Sequence, residues 1–191
     1  ARGASFVVVA GDLADAGLPG EYARYAAWAA SLGVPVYAAV GNHDLYNSGW
    51  TSFRSTVGRS FYSFSVGALS FYVLDSGNGT LGRTQLALLR SAFAADPNRQ
   101  VVICHYPLYN GEDTGYYKLT NAAERAALIE LYTGAGVELL LEGHSHVTRH
   151  TRIGEMDEWL CSSLTGPAGE GQCVTVTVSA GAITSVVPET Y

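Results

Sequence analysis

Four short apolar runs in this 191-residue chain each close, at the carboxyl end, on a glycine or on a side chain that can bind a metal. Phe6 to Ala10 runs into Gly11-Asp12, and Val34 to Val40 into Gly41-Asn42-His43. Val101 to Cys104 runs into His105, and Val137 to Leu141 into Glu142-Gly143-His144, with His146 just behind. Continuous apolar runs of this length read as strands buried on both faces. Such strands belong to α/β sheets covered by helices, where ligands bind beyond the strand carboxyl ends. One repeated feature therefore predicts both an α/β fold and a site, because it brings Asp12, Asn42, His43, His105, His144 and His146 to one rim. A lone histidine is more often a satisfied core or surface residue. Four of the five histidines at equivalent strand ends are poorly explained that way. Histidine nitrogen, carboxylate and amide oxygen together suit Zn, Mn or Fe better than Ca or Mg.

The segments between these runs fit the same class. Glu21 to Leu32 carries Tyr22, Tyr25, Ala26, Ala29 and Leu32 at helical spacing, and Gly33 ends it. Thr84 to Ala95 and Ala122 to Tyr132 also read as helices, the first stopped by Asp96-Pro97-Asn98. Phe61 to Val66 and Ala68 to Leu74 read as a hairpin through Gly67, and Cys173 to Val178 with Ala182 to Val187 as another. Asn110 to Leu119 is Gly- and Tyr-rich and reads as a surface loop. The length predicts one domain over 1–191.

Composition removes several functions. Only 11 Lys+Arg against 17 Asp+Glu argue against a nucleic-acid groove, which needs clustered cations. No apolar run approaches the roughly 18 residues of a membrane span. Cys161 and Cys173 flank a turn-like segment and leave two alternatives open. A bridge would stabilise by about 3 kcal/mol and imply a secreted or periplasmic location, whereas two reduced thiols would not.

Gly11-Asp12-Leu13-Ala14-Asp15, Gly41-Asn42-His43-Asp44, His105-Tyr106-Pro107 and Gly143-His144-Ser145-His146 resemble, in order and rough spacing, the motifs of the calcineurin-like metallophosphoesterase superfamily. Tyr62-Ser63-Phe64, Leu74-Asp75-Ser76 and Gln85-Leu86 resemble its stretch between the second and third motifs, so the resemblance covers nearly the whole chain. It implies a four-layer α/β/β/α sandwich around two divalent transition metals (Mn, Fe or Zn). Asp12 would bridge the metals, Asn42, His105 and His144 would complete one site, and His146 would serve the other. A metal-bound hydroxide would attack the phosphorus of a small phosphomonoester or phosphodiester. His43 would protonate the leaving oxygen or stabilise the transition state, and Asp15 would orient His43.

Three departures refine the resemblance. Asp15-Ala16-Gly17 lacks the arginine of the Asp-Arg-Gly motif in Ser/Thr protein phosphatases. Asp15 also stands where purple acid phosphatases place a ligating tyrosine. The remaining similarity is to bacterial cyclic-nucleotide phosphodiesterase-like and general phosphoesterase members, with Tyr109, Tyr116 and Tyr117 either stacking on a nucleobase or aryl group or simply packing the loop. Finally, no Asp stands two residues before any His, so the Asp-x-His motif that opens the family is absent.

The expectation is a chain that is N-terminally truncated relative to the family. Its first metal site keeps Asp12 and His146, with His150 either a substitute ligand or a surface residue. The strand Phe6 to Ala10 would then have an open edge that invites a second copy. The alternative function is an activity-impaired or non-catalytic module with one metal or none, acting through binding or assembly.

Overall fold

The computed structural model describes residues 3–109, 117–164 and 171–190. The chain begins with a parallel pair, β1 (Val7–Val9) and β2 (Val36–Ala38), linked by α1 (Pro19–Ser31). A 3-10 turn over His43–Ser48 leads into α2 (Trp50–Thr56). A hairpin of β3 (Tyr62–Val66) and β4 (Leu69–Val73) follows, then α3 (Gly82–Ala95), β5 (Arg99–Ile103), α4 (Ala122–Ala135) and β6 (Val137–Glu142). The chain ends in two antiparallel hairpins, β7 (Arg149–Ile153) with β8 (Met156–Leu160) and β9 (Gln172–Ser179) with β10 (Ala182–Thr190).

The central sheet has the order β3-β4-β5-β6-β8-β7, with β4, β5, β6 and β8 parallel. Alternation along its strands separates two apolar faces. Tyr72, Val102 and Leu140 meet Leu89 and Phe93 of α3 and Leu128 and Tyr132 of α4. Phe71, Val101, Ile103 and Leu139 face the other way, onto Phe6 and Val8 from the β1 region and Val176, Ile183 and Val186 from β9 and β10. Tyr22 of α1 and Phe53 of α2 join Ala14 and Val40 in a third cluster beneath the first two strands. The layers are therefore helix, sheet, sheet, helix, as the resemblance implied.

Every segment expected to be a strand or helix is one, with ends displaced by a few residues. The differences lie elsewhere. The β7–β8 hairpin escaped notice because Arg149, His150, Arg152, Asp157 and Glu158 break the apolar pattern. The 3-10 turn and α2 were hidden by their polar, glycine-rich entry. Cys104, Cys161 and Cys173 are free thiols, the reduced one of the two alternatives, and burial with Cys173 nearby pushes the Cys161 thiol up to about 12. No helix among the described residues is long and apolar enough to cross a membrane.

Candidate metal centre

The rim residues arrive from both sheets. β1 and β2 end just before Asp12 and Asn42, and β5 and β6 just before His105 and His144. Asp12, His144 and His146 all have left-handed backbone (φ 55°, 67° and 52°), which turns each side chain sharply away from its strand direction. Non-glycine residues seldom adopt this conformation, and it concentrates at functional sites. Two glycines make room for the convergence. A Cβ on Gly11 would collide with the His105 ring, and one on Gly41 with the Asp12 carboxylate and main-chain nitrogen.

Four acceptor atoms meet around His105, which is 1% exposed. Its Nε2 lies 3.2 Å from Asp12 Oδ2, 3.0 Å from Asn42 Oδ1 and 3.1 Å from His144 Nδ1. Its Nδ1–H donates to the Ala10 carbonyl at 2.8 Å, which turns Nε2 toward the other three atoms. Acceptors crowded this closely need a cation or a proton among them. Asp12, His105 and His144 each offer a ligand atom within 4.8 Å of the others, the one such group among the described residues. The mixed nitrogen and oxygen set fits a divalent transition metal. Burial opposes charge on Asp12, but the hydrogen bond and charge of His105, with the His43 N–H, hold its carboxyl below the usual range.

His146 stands outside that group, and Ser162 Oγ donates to its carbonyl at 3.0 Å. His150 is committed elsewhere, bonded to Asp157 at 2.7 Å and stacked on Trp159. His43 is partly exposed beside the cluster. Its Nδ1–H donates to the main-chain carbonyl of Asp15 at 2.6 Å, while the Asp15 carboxylate is 3.5 Å away and 93% exposed. The orienting group is thus first the Asp15 backbone, where the sequence suggested its side chain. Tyr117 lies 5.9 Å from the His144 ring, Tyr109 and Tyr117 are exposed, and Tyr116 lies outside the described residues.

Buried polar residues anchor the rim. Asp44, fully buried, accepts from Gly41 N, Ala14 N and the Tyr22 hydroxyl, tying the two ligand loops together. Ser76 Oγ accepts from His105 N and Tyr106 N, Glu142 Oε1 from Leu108 N, and Glu158 Oε1 from Tyr109 N at 2.7 Å. Each amide hydrogen in the 105–109 turn therefore meets a buried side chain, since Pro107 has none. Burial first, then Glu158 beside it, raises the Glu142 carboxyl well above the ordinary range. The signal for Asp44 lay in its motif, whereas nothing local marked Glu158.

The sequence profile of the calcineurin-like phosphoesterases matches residues 1–148. A 3′,5′-cyclic-nucleotide phosphodiesterase of Nostoc sp. is 31% identical over 150 residues, covering 73% of this chain and 55% of that protein. The human serine/threonine-protein phosphatase CPPED1 is 28% identical over 167 residues, covering 74% and 53%. The chain thus spans about half the length of the curated relatives it matches. Among solved structures, a dimetal phosphatase from Danio rerio superposes with a TM-score of 0.70 at 15% identity, covering 84% of this chain and 73% of that one. A purple acid phosphatase from yellow lupin gives 0.66 at 17% identity, covering 83% and 37%. The fold is the metallophosphoesterase fold. Profile, relatives and convergent rim agree that the chain belongs to the calcineurin-like phosphoesterase family.

Proposed function

We propose that this chain hydrolyses small phosphoesters at a metal centre held by Asp12, Asn42, His105 and His144. The observation that carries the reading is that Asp12 Oδ2, Asn42 Oδ1 and His144 Nδ1 each lie 3.0–3.2 Å from His105 Nε2. A divalent transition metal held there supplies Lewis acidity and brings the pKa of water near neutrality. Asp12, with its second oxygen accepting from His43 N, is the residue suited to bridge toward a second ion, and His146 is the candidate ligand on that side. His43 holds its Nδ1 proton on the Asp15 carbonyl, which leaves Nε2 to carry or release a proton toward the leaving oxygen. Tyr117 offers an aromatic wall for a nucleobase or aryl leaving group. The curated relatives named as phosphodiesterase and phosphatase support the class of reaction.

The test is elemental analysis of the chain after reconstitution with Mn²⁺, followed by hydrolysis of a chromogenic phosphodiester. Bound metal with turnover that His43→Asn lowers at unchanged metal content supports the reading. Absence of metal after reconstitution overturns it in favour of a module that works through binding.

The open side of β1 bears on the assembled state. Among the described residues β1 pairs with β2 alone, and β9–β10 covers the same face of the central sheet without pairing to it. A cavity of about 430 Å³ touches this region, lined by apolar Val9, Tyr25 and Trp28 together with charged Asp12, Glu21 and Arg24. Unpaired strand edges recruit further strands. We therefore propose that a second copy pairs there, and a monomer by light scattering at micromolar concentration would refute it.

A further inference from the structure

Asn42 is the amide of the acceptor cluster. Its amide has an oxygen that can face a cation and an NH₂ group that cannot. The two ends occupy the same space after a 180° rotation, so something must choose between them. The competing orientation is attractive in its own right. With its Nδ1–H on the Ala10 carbonyl, His105 faces Asn42 through Nε2, and in the unprotonated form that a metal ligand requires a flipped Asn42 would donate Nδ2–H to it. That bond would cap the lone pair of His105 and turn the amide oxygen outward.

The partner on the other end of the amide is Tyr46. Asn42 Nδ2 donates to the Tyr46 hydroxyl at 3.0 Å, while Oδ1 faces His105. Tyr46 is 46% exposed, so burial is not its main contribution. Its ring lies 4.8 Å from that of His43. The backbone beneath it is held from several directions. Tyr46 leaves the 3-10 turn (φ −64°, ψ 153°) and Asn47 is left-handed (φ 48°). Gly49 N donates to the Tyr46 carbonyl at 2.8 Å, Asn47 Nδ2 donates to the Ala16 carbonyl at 2.9 Å, and a Cβ on Gly17 would strike the Tyr46 carbonyl oxygen. An exposed aromatic on a fixed backbone, with its hydroxyl on a candidate ligand, is placed to orient that ligand.

We propose that Tyr46 is a positioning residue of the metal centre, whose hydroxyl accepts the Asn42 amide proton and so keeps Oδ1 aimed at the cluster. The inference rests on Asn42 being a ligand. Hydrogen-bond partners of metal ligands commonly contribute about 10–100-fold to affinity.

Calorimetric titration with Mn²⁺ alone tests it in the wild type, Tyr46→Phe, Asn42→Asp, Asn42→Ala and the Asn42→Asp/Tyr46→Phe double variant. Tyr46→Phe is expected to bind about tenfold more weakly at an unchanged melting temperature. In the Asn42→Asp background the same change is expected to have no effect, because a carboxylate presents an oxygen either way round. A general loosening of the loop would weaken both backgrounds equally, and that result overturns the proposal. Wild-type affinity in Tyr46→Phe beside a weakened Asn42→Ala overturns the role of Tyr46 while leaving the ligand set standing. Undiminished affinity in Asn42→Ala, or no binding by the wild type, overturns the ligand reading and this inference with it.

Discussion

The two halves of the candidate metal centre rest on unequal foundations. His105 and His144 follow β5 and β6, which lie inside a six-stranded sheet with apolar cover on both faces. Val101, Val102 and Ile103 are fully buried, and the turn after them is fastened by Ser76, Glu142 and Glu158. Asp12, Asn42 and His43 follow β1 and β2, three residues each, paired only with one another among the described residues. Their strand residues are mostly half-buried, and Asp44 is the main tie between their loops. The comparison shows how such a site divides labour. On one side His105 is buried at the end of the core sheet, with the half-buried His144 ring beside it. The other is a more open side, where the His43 side chain is 35% exposed.

The strongest way to break this picture is to remove one residue from each side. His105→Ala takes away the atom on which the acceptor cluster centres, and metal affinity should fall by more than the about 100-fold upper range for outer partners. His43→Ala should leave metal content near the wild-type value while lowering turnover. Equal metal loss in both variants, read by elemental analysis, would place His43 among the ligands.

Core truncation sharpens the same contrast in stability. Ile103→Ala empties a fully buried site in β5 and should cost about 2–5 kcal/mol. Val8→Ala in half-buried β1 should cost visibly less. Urea unfolding midpoints compare the two, and equal costs would mean that β1 is as firmly packed as β5.

The anchors of the 105–109 turn come next. Glu158→Leu leaves Tyr109 N–H without its buried acceptor, a loss of about 1–3 kcal/mol. Glu158→Gln keeps an acceptor oxygen and removes a buried acid, so its unfolding midpoint should stay near the wild-type value. A Gln variant as weak as the Leu variant would show that charge, not the acceptor, matters there.

The smallest effect lies far from the rim, at Asp96. Burial opposes its ionisation, but the Tyr72 hydroxyl at 2.7 Å and the Asn98 N–H outweigh burial and lower its carboxyl below the ordinary 3.8. The folded state therefore binds this proton less readily than the unfolded chain. The contribution is complete above the ordinary carboxyl range and is lost as pH falls through the lowered value. Tyr72→Phe should flatten that acid limb by a fraction of the about 1 kcal/mol typical of exposed charged contacts. Parallel acid limbs for both proteins in pH-dependent melting would exclude it.

Much of the site was legible locally because its chemistry sits at the ends of apolar strands. Gly11-Asp12, Gly41-Asn42-His43, His105 and Gly143-His144 could each be picked out from a handful of neighbours. The partners that make them work were not. Glu158 sits in a hairpin with a polar pattern, 49 positions from the Tyr109 amide it accepts. Tyr46 looked like one aromatic among 12 tyrosines until its hydroxyl was found on Asn42. The resemblance implied a contact from the Asp15 carboxylate to His43, 28 positions away, yet the Asp15 carbonyl lies closer.

The sequence by itself determined the class of fold and the kinds of atom at the rim. Apolar runs demand burial on both faces, and the residue after each run is placed by strand direction alone. Tertiary contacts alone set which nitrogen of His105 faces the cluster, which end of the Asn42 amide faces inward and which buried side chains hold the 105–109 turn. Those choices are hydrogen bonds between residues far apart in sequence, and a local pattern carries no information about an acceptor that another strand supplies.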